Sequence, residues 1–170
     1  MHYIGAKAMA TFQFSYDTFD HYSELSPEEA ELVLQAMKAA EDLAYAPYSQ
    51  FQVGAAVRLA NGLIIKGSNQ ENASSPAGIC AERSALSVVS AQYPSEKITA
   101  MAVAYYRNTH TAHGLEQVIS PCGICRQSIT EYIHRQDNTF PIYLCSPKGA
   151  VYRIQDAGNL LPLSFGAEIL

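Results

Sequence analysis

The pattern of hydrophobic and polar positions first becomes regular at a helix that begins near residue 26. Ser26 suits the N-cap, Pro27 suits the first helical position, and Glu29 completes a capping box. Hydrophobic residues then recur at helical spacing, at Val33, Met37, Ala40 and Ala44. The helix is predicted to end near Ala46, because Pro47 disfavours helical geometry in the residue before it.

A β-hairpin is predicted after this helix. Hydrophobic residues occupy every second position of a short segment, at Val53, Ala55, Val57 and Leu59. This period of two is typical of a strand. The dipeptide Asn61-Gly62 is a strong signal for a two-residue turn, and residues 63–66 are predicted to form the return strand.

Two further helices and three further strands are predicted in the remainder of the chain. The helices cover about residues 80–91 and 122–134, and the strands cover residues 98–106, 140–145 and 150–154. Helices that alternate with strands indicate a sheet with helices on both faces. The predicted fold class is therefore α/β, with three layers (α/β/α) and a mixed sheet of five strands.

Residues 1–24 are predicted to be an N-terminal extension, and residues 25–170 a single domain. Phe12, Phe14 and Tyr16 alternate with polar residues, which is typical of an added edge strand. A loosely attached arm explains the same residues equally well, and both interpretations stay open at this point.

The composition of the chain argues against several classes of partner. The chain has 170 residues, a formal net charge of −5 and 48% hydrophobic residues. This mild acidity, without a visible basic cluster, disfavours nucleic-acid binding. No segment has the length and apolar character of a secretory signal or a membrane span. We therefore expect a cytoplasmic protein with reduced thiols, no membrane partner and no nucleic-acid partner.

Three of the four cysteines lie where two predicted helices begin. Cys122 and Cys125 are three residues apart, which places both sulfurs on one helical face, and Cys80 stands at the start of the preceding helix. Helix N-termini stabilise thiolates. If the two helix starts converge, three thiolates bind one zinc ion per chain and leave the fourth position to water, as in catalytic zinc sites. Cys145, in an apolar strand, is predicted to be a buried thiol.

Two residues beside Cys80 suggest what such a site does. Glu82 is placed to exchange protons with the water without binding the metal. Zinc with three thiolates carries a net charge of about −1, and Arg83 is placed to donate hydrogen bonds to the sulfurs and offset it. A structural zinc knuckle or a redox pair explains Cys-x-x-Cys alone equally well. The order Cys-Ala-Glu followed by Pro-Cys-x-x-Cys is that of zinc deaminases.

The sequence resembles the cytidine deaminase family, in its short homotetrameric form, over residues 43–165. The resemblance rests on five motifs in order: APYSQFQVGAA (46–56), GSNQENAS (67–74), GICAERSAL (78–86), ISPCGICRQ (119–127) and LLPLSF (160–165). It implies zinc-dependent hydrolysis of cytidine and deoxycytidine to uridine and deoxyuridine, in pyrimidine salvage. It also implies the zinc ligands Cys80, Cys122 and Cys125 and the general acid/base Glu82.

The resemblance further implies a set of substrate contacts. Asn69 and Glu71 match the residues that hydrogen-bond the ribose hydroxyl, and Phe51 matches the residue that packs on the pyrimidine. Backbone groups near Ala81 and Ser120 match those that hold the base. Phe165 matches a residue that completes the site of a neighbouring subunit. The expected partners are thus a nucleoside and three further copies of the chain, in a homotetramer.

Three features depart from the family pattern. Ser75 stands where an aromatic residue is common, and the loop from Arg107 to Gln117 is longer than in many relatives. His110 and His113 in this loop suggest a second metal site, although solvated histidines explain them better. Three alternative functions are deamination of a cytosine-containing antibiotic, deamination of an RNA base, and binding without catalysis by a module that holds a structural zinc ion. The intact Asn69-Gln70-Glu71 favours a nucleoside as the substrate.

Overall fold

The chain folds around one mixed β-sheet. A computed structural model describes residues 10–107 and 115–166. In chain order, the helices and strands of this part are β1 (Asp17–Phe19), α1 (Pro27–Leu43), β2 (Gln52–Leu59), β3 (Ile64–Ser68), α2 (Ala81–Gln92), β4 (Ile98–Tyr106), α3 (Gly123–Gln136), β5 (Ile142–Cys145) and β6 (Val151–Ile154). None of the helices in these two ranges is long and apolar enough to cross a membrane.

Within residues 10–107 and 115–166 the sheet has six strands in the order β1-β6-β5-β4-β2-β3, so the prediction of five strands is wrong. Only the pair β4 and β5 is parallel, which makes the sheet mixed, as predicted. The additional strand is β1, which pairs antiparallel with β6 at the edge. An edge strand therefore exists within the predicted extension, but it follows the alternating residues Phe12, Phe14 and Tyr16 instead of containing them.

The contacts that hold β1 in place come from residues far away in the chain. The Arg153 guanidinium lies 3.0 Å from the Asp17 carboxylate, and the ring of Tyr16 contacts that of Tyr152 at a centroid distance of 5.1 Å. Since both partners belong to β6, neither contact is visible in the local pattern of residues 12–19.

The capping box predicted at Ser26 is confirmed, and its glutamate also ties α1 to the sheet. The Glu29 carboxylate accepts hydrogen bonds from Ser26, from the Tyr143 hydroxyl at 2.7 Å and from Arg153 at 3.0 Å. Partial burial opposes ionisation, but these hydrogen bonds outweigh it and lower the pKa of Glu29 to about 2. The helix ends at Leu43, three residues before the predicted end, because Ala44 is already extended.

Two buried clusters pack against the sheet, and different helices contribute to them. Ala56 and alternate residues of β4 form one buried cluster with Leu32, Val33 and Ala36 of α1. Val57 and the intervening residues of β4 form a second cluster with residues of α2 and with Ile129 of α3.

Two glycines let helices approach the hairpin closely. A Cβ atom at Gly54 would lie 2.2 Å from the Ala36 carbonyl oxygen of α1, and one at Gly67 would lie 2.4 Å from the Ala85 nitrogen of α2. Side chains at these positions are therefore excluded unless the backbone moves. The close contact at Gly67 places α2, and the cysteine that precedes it, directly against β3.

Candidate metal and substrate site

The starts of α2 and α3 meet, and the three predicted ligand residues meet with them. Cys80 is the N-cap of α2 and Cys122 is the N-cap of α3, while Cys125 lies buried in the first turn of α3. The Sγ atoms of Cys80 and Cys122 are 3.8 Å apart, and those of Cys122 and Cys125 are 3.5 Å apart. All three sulfurs lie within 4.8 Å of one another.

This spacing fits a tetrahedral zinc ion. Zn–S bonds of about 2.3 Å at tetrahedral angles place two sulfurs about 3.8 Å apart. All three cysteines are free thiols, so no disulfide competes for the sulfurs. The cluster has three members among the described residues, which leaves one position of a tetrahedron to another ligand. His110 and His113 lie outside the described residues, so the second metal site stays untested.

The thiols need a cation to ionise together. Burial raises the pKa of Cys80, and burial together with the Glu82 charge raises that of Cys125 far above the ordinary value. Burial opposes ionisation of Cys122 as well, but hydrogen bonds from Cys125 and Cys80 outweigh it and lower the Cys122 pKa. Three thiolates at these distances repel one another strongly, and a divalent cation removes that repulsion.

Glu82 lies in the first turn of α2 with only 4% of its surface exposed. Burial raises the pKa of its carboxyl group, against smaller lowering effects from its own backbone and from Cys125. A buried carboxyl group without a paired cation gains a proton more readily than an exposed one. This is the property that proton transfer at neutral pH requires.

Glu82 and two of the cysteines open into one cavity of about 280 Å³. This volume is close to the lower end of the range for small-molecule sites, about 300–1,000 Å³. The residues that line it come from β2, the end of β3, the start of α2 and the segment before α3: Phe51, Val53, Asn69, Cys80, Ala81, Glu82, Ile119, Ser120 and Cys122. Four predicted substrate contacts, at Phe51, Asn69, Ala81 and Ser120, are therefore brought to the metal cluster.

A second cavity of about 410 Å³ continues the first. Asn69 and Cys80 line both cavities, and Glu71 and Tyr48 line the second one. The Glu71 carboxylate accepts hydrogen bonds from the backbone N–H groups of Tyr48 at 2.9 Å and Ser49 at 3.3 Å. The side chain of Ser49 and these N–H groups lower the pKa of Glu71, so it is a carboxylate at neutral pH.

The side chain of Asn69 is fixed by the strand opposite it. Its Oδ1 atom accepts a hydrogen bond from the Val53 N–H at 2.8 Å, and its Nδ2 atom donates one to the Phe51 carbonyl at 2.9 Å. The spacing of the motif gave no sign of this pairing. These two hydrogen bonds use one of the two lone pairs of the Asn69 carbonyl oxygen and one of its two amide N–H groups.

Phe51 forms one wall of the cavity and is supported from behind. Its ring stacks on that of Tyr105, with a centroid distance of 5.0 Å and an angle of 19° between the planes. The Tyr105 hydroxyl donates to the Gln117 carbonyl at 2.9 Å. Sequence reasoning missed Tyr105 and Ile119 as parts of the site, although Ile119 lies inside a recognised motif.

Two predicted site residues lie away from the cavity of their own chain. Arg83 lines a groove of about 590 Å³ between α2 and α3, and its guanidinium donates no hydrogen bond to the three sulfurs among the described contacts. The predicted hydrogen bonds from Arg83 to the sulfurs are therefore not among the described contacts. Phe165 is 55% exposed and does not line the cavity, while its carbonyl accepts a hydrogen bond from Gln127.

Comparison with known proteins identifies the family to which this chain is similar. Residues 27–137 match the family described as the cytidine and deoxycytidylate deaminase zinc-binding region. A cytidine deaminase from Halalkalibacterium halodurans is 36% identical over 81% of this chain and 93% of its own length. One from Sporosarcina psychrophila is 34% identical over 84% of this chain and 95% of its own length.

Solved structures of cytidine deaminases are also similar to this chain. The crystal structure of cytidine deaminase from Burkholderia pseudomallei is 39% identical, with a TM-score of 0.64, over 79% of this chain and 97% of that one. The structure of cytidine deaminase from Mycobacterium tuberculosis is 30% identical, with a TM-score of 0.60, over 80% of this chain and 95% of that one.

Proposed function

The chain belongs to the cytidine deaminase family, and we propose that the cleft between α2, α3 and the hairpin carries the family's reaction here. The reaction is zinc-dependent hydrolysis of cytidine, and of deoxycytidine, to uridine or deoxyuridine and ammonia. The observation that carries this assignment is the group of three cysteine sulfurs within 4.8 Å of one another, in a cavity that also holds the buried carboxyl group of Glu82.

Cys80, Cys122 and Cys125 hold one zinc ion per chain. Zinc in such a site acts as a Lewis acid that makes water a usable nucleophile near pH 7. In the loaded enzyme the sulfurs are thiolates and stronger hydrogen-bond acceptors than thiols. We therefore retain Arg83 as a donor that offsets their excess negative charge.

Glu82 moves the protons of the reaction. It takes a proton from the water that forms a bond to the ring carbon and delivers it to the adjacent ring nitrogen. Glu82 then takes the second proton from the same oxygen and delivers it to the exocyclic amine; the carbon–nitrogen bond breaks, ammonia leaves, and the oxygen remains on the ring carbon as the new carbonyl. The burial of Glu82 supports this role, because a buried carboxyl group is a better proton donor and acceptor at neutral pH than an exposed one.

The remaining cavity residues bind the nucleoside. Phe51 packs against the pyrimidine ring, and backbone groups of Ala81 and Ser120 hold its carbonyl and amine. Asn69 and Glu71 form hydrogen bonds with the sugar hydroxyl. The Asn69 amide can both donate and accept hydrogen bonds, whereas the Glu71 carboxylate only accepts them. The continuity of the two cavities at Asn69 and Cys80 supports a ligand with its base near the metal and its sugar near Glu71.

Replacement of Asn69 with alanine is expected to raise KM for cytidine by up to about tenfold, as expected for the loss of a sugar hydrogen bond. The Val53 N–H and the Phe51 carbonyl also lose their partner, so the free energy of unfolding should fall by about 1–3 kcal/mol. Steady-state kinetics and denaturant unfolding measure both effects. Asn138→Ala, an exposed asparagine at the end of α3, is the control and should change neither; an unchanged KM for Asn69→Ala would remove the sugar contact.

We also propose a homotetramer in which Phe165 completes a neighbour's site. The exposure of Phe165, and its absence from the residues that line its own cavity, support this. Ile124 in the first turn of α3 and Leu163 in the C-terminal segment are likewise exposed apolar side chains. Residues 25–170 form the catalytic domain in this proposal, residues 1–24 add an edge strand to it, and the reduced metal-binding thiols suit the cytoplasm.

Shared sites predict complementation between two inactive or weakened variants. Glu82→Gln lacks the proton carrier in its own site, and Phe165→Ala lacks the side chain that completes the site of the neighbouring subunit. Mixed tetramers, refolded or expressed together, should recover activity because some sites receive both intact residues. The mass in solution should be four times the chain mass of 18.5 kDa. A mass of one chain, or no recovery in mixtures, would contradict the shared site.

The first test of the function is a continuous absorbance assay with cytidine, with zinc measured on the same sample. Turnover with about one zinc per chain is expected. Absence of turnover from cytidine and deoxycytidine in zinc-loaded protein would contradict the proposal. Turnover of a cytosine-containing antibiotic in their place would then identify the substrate.

A further inference from the structure

Arg126 connects three segments around the site, and neither the motif spacing nor the proposed chemistry accounts for it. It directly follows Cys125 in α3. Its guanidinium group is partly buried and donates hydrogen bonds from Nε to the Pro121 carbonyl at 2.8 Å, from Nη2 to the Ser120 hydroxyl at 2.9 Å, and from Nη1 to the Leu160 carbonyl at 3.1 Å.

Two of these acceptors flank one peptide group. The Ser120 hydroxyl lies before the Ser120–Pro121 peptide bond and the Pro121 carbonyl lies after it. Because both are held by the same planar guanidinium, the orientation of the Ser120 carbonyl between them is restricted. Ser120 lines the cavity together with Glu82 and Cys122, so the restricted group lies at the reacting end of the cleft.

Only arginine supplies this pattern of donors. Its guanidinium presents five N–H groups in a rigid plane, whereas lysine presents one ammonium group on a flexible stem. Two acceptors belong to the adjacent residues Ser120 and Pro121 and the third to Leu160, and each accepts a hydrogen bond from a different nitrogen of the guanidinium. A positive charge alone does not hold them in this arrangement.

We propose that Arg126 is a positioning residue for the deamination, which it supports by holding the Ser120 carbonyl in place to accept a hydrogen bond from the departing amine. This inference rests on the proposed function. As the amine gains a proton before it leaves, its N–H groups become stronger donors, so the hydrogen bond to Ser120 strengthens toward the transition state. Loss of the correct orientation therefore lowers kcat more than it raises KM.

The hydrogen bond from Arg126 to the Leu160 carbonyl suggests that Arg126 also holds the C-terminal segment, and the experiment has to distinguish this structural role from the positioning of Ser120. Gln127 donates to the Phe165 carbonyl at 2.9 Å, so adjacent residues of α3 hold both ends of the segment 160–165. Gln127→Ala loosens this segment without touching Ser120. Arg135→Gln is the matched control, since Arg135 is an exposed arginine of the same helix that contacts Ser90 and Tyr132 instead.

The experiment compares Arg126→Gln, Arg126→Lys, Gln127→Ala and Arg135→Gln with the parent enzyme. Steady-state kinetics with cytidine, zinc content and thermal unfolding are measured for each. In Arg126→Gln, kcat per bound zinc is expected to fall by about 10- to 100-fold with a smaller change in KM, as for other displaced positioning groups. Arg126→Lys should not restore kcat, and Arg135→Gln should match the parent.

Three results would overturn the inference. The first is an unchanged kcat per bound zinc in Arg126→Gln. The second is a kcat of Arg126→Lys equal to that of the parent enzyme, which would mean that charge alone matters. The third is a loss of kcat in Gln127→Ala equal to that in Arg126→Gln, which would assign the effect to the C-terminal segment. If Arg126→Gln does not fold, Arg126→Lys is combined with Ser120→Ala. The two effects on kcat should then be less than additive, and additive effects would refute the coupling. A parent enzyme without turnover would refute the proposed function and the inference with it, whereas any of the three results above in an active parent enzyme would refute the inference alone.

Discussion

Glu82→Gln is expected to lower kcat for cytidine by at least about 10²–10⁴-fold, the range for loss of a positioned general acid/base. The amide has nearly the same shape as the carboxyl group but cannot accept the proton of the attacking water. Glu82 is 4% exposed, so bulk water has little access to replace it. Because Glu82 is not one of the three clustered ligands, zinc should stay at about one ion per chain.

The measurement is kcat per bound zinc, with thermal unfolding as a check on folding. Glu41→Gln is the matched control, because Glu41 is an exposed carboxylate on α1 that lines neither cavity, and its replacement should leave kcat unchanged. Full activity of zinc-loaded Glu82→Gln would exclude Glu82 as the proton carrier. Loss of zinc in the same variant would instead make Glu82 part of the metal site.

Cys122→Ala should abolish both zinc binding and turnover. Two thiolates remain, and they no longer surround the ion on three sides. Without the Lewis acid, which contributes several kcal/mol to transition-state stabilisation, kcat should fall by at least about 10³-fold. Metal analysis of the purified protein and the absorbance assay measure the two effects.

Cys145→Ala is the same substitution at a cysteine outside the cluster. Cys145 is fully buried in β5, and its thiol donates to the Tyr143 carbonyl at 3.7 Å. Its replacement should keep zinc and kcat, while Tm falls by about 2–4 °C, as for a loss of about 1 kcal/mol in a chain of this length. A zinc-replete and active Cys122→Ala would contradict the ligand set.

Local patterns were sufficient for most of the helices and strands. The N-cap at Ser26 and the alternation in β2 depend on residues two or three positions apart, which a sequence displays directly. The two-residue turn predicted at Asn61-Gly62 is wrong, because the Leu59 N–H donates to the Leu63 carbonyl and the Gly62 N–H to the Leu59 carbonyl, so that residues 60–62 connect the two strands. The predicted strand 98–106 is confirmed as β4, with the same bounds. Ends that depend on backbone geometry were less accurate: α1 ends at Leu43 and β5 begins at Ile142, each inside the predicted range.

The sixth strand shows why the edge of the sheet was not predicted. The residues that alternate, Phe12 to Tyr16, remain exposed, whereas Asp17–Phe19 pairs with β6. The pairing depends on Arg153 and Tyr152, which are more than 130 positions away along the chain. Edge strands with few buried side chains carry no strong periodicity, so the partner strand decides where they form.

The sequence by itself predicted the ligand set Cys80, Cys122 and Cys125 and the carboxyl group beside it from residue type and short spacing at helix starts, and its resemblance to a known family predicted the reaction class. Only the tertiary structure decided that the two helix starts meet, that Asn69 pairs with the backbone of Phe51 and Val53, and that Arg126 holds Ser120. These contacts join residues that are far apart along the chain or that lie in irregular backbone. They form only when α2 and α3 pack on the sheet and bring those residues together.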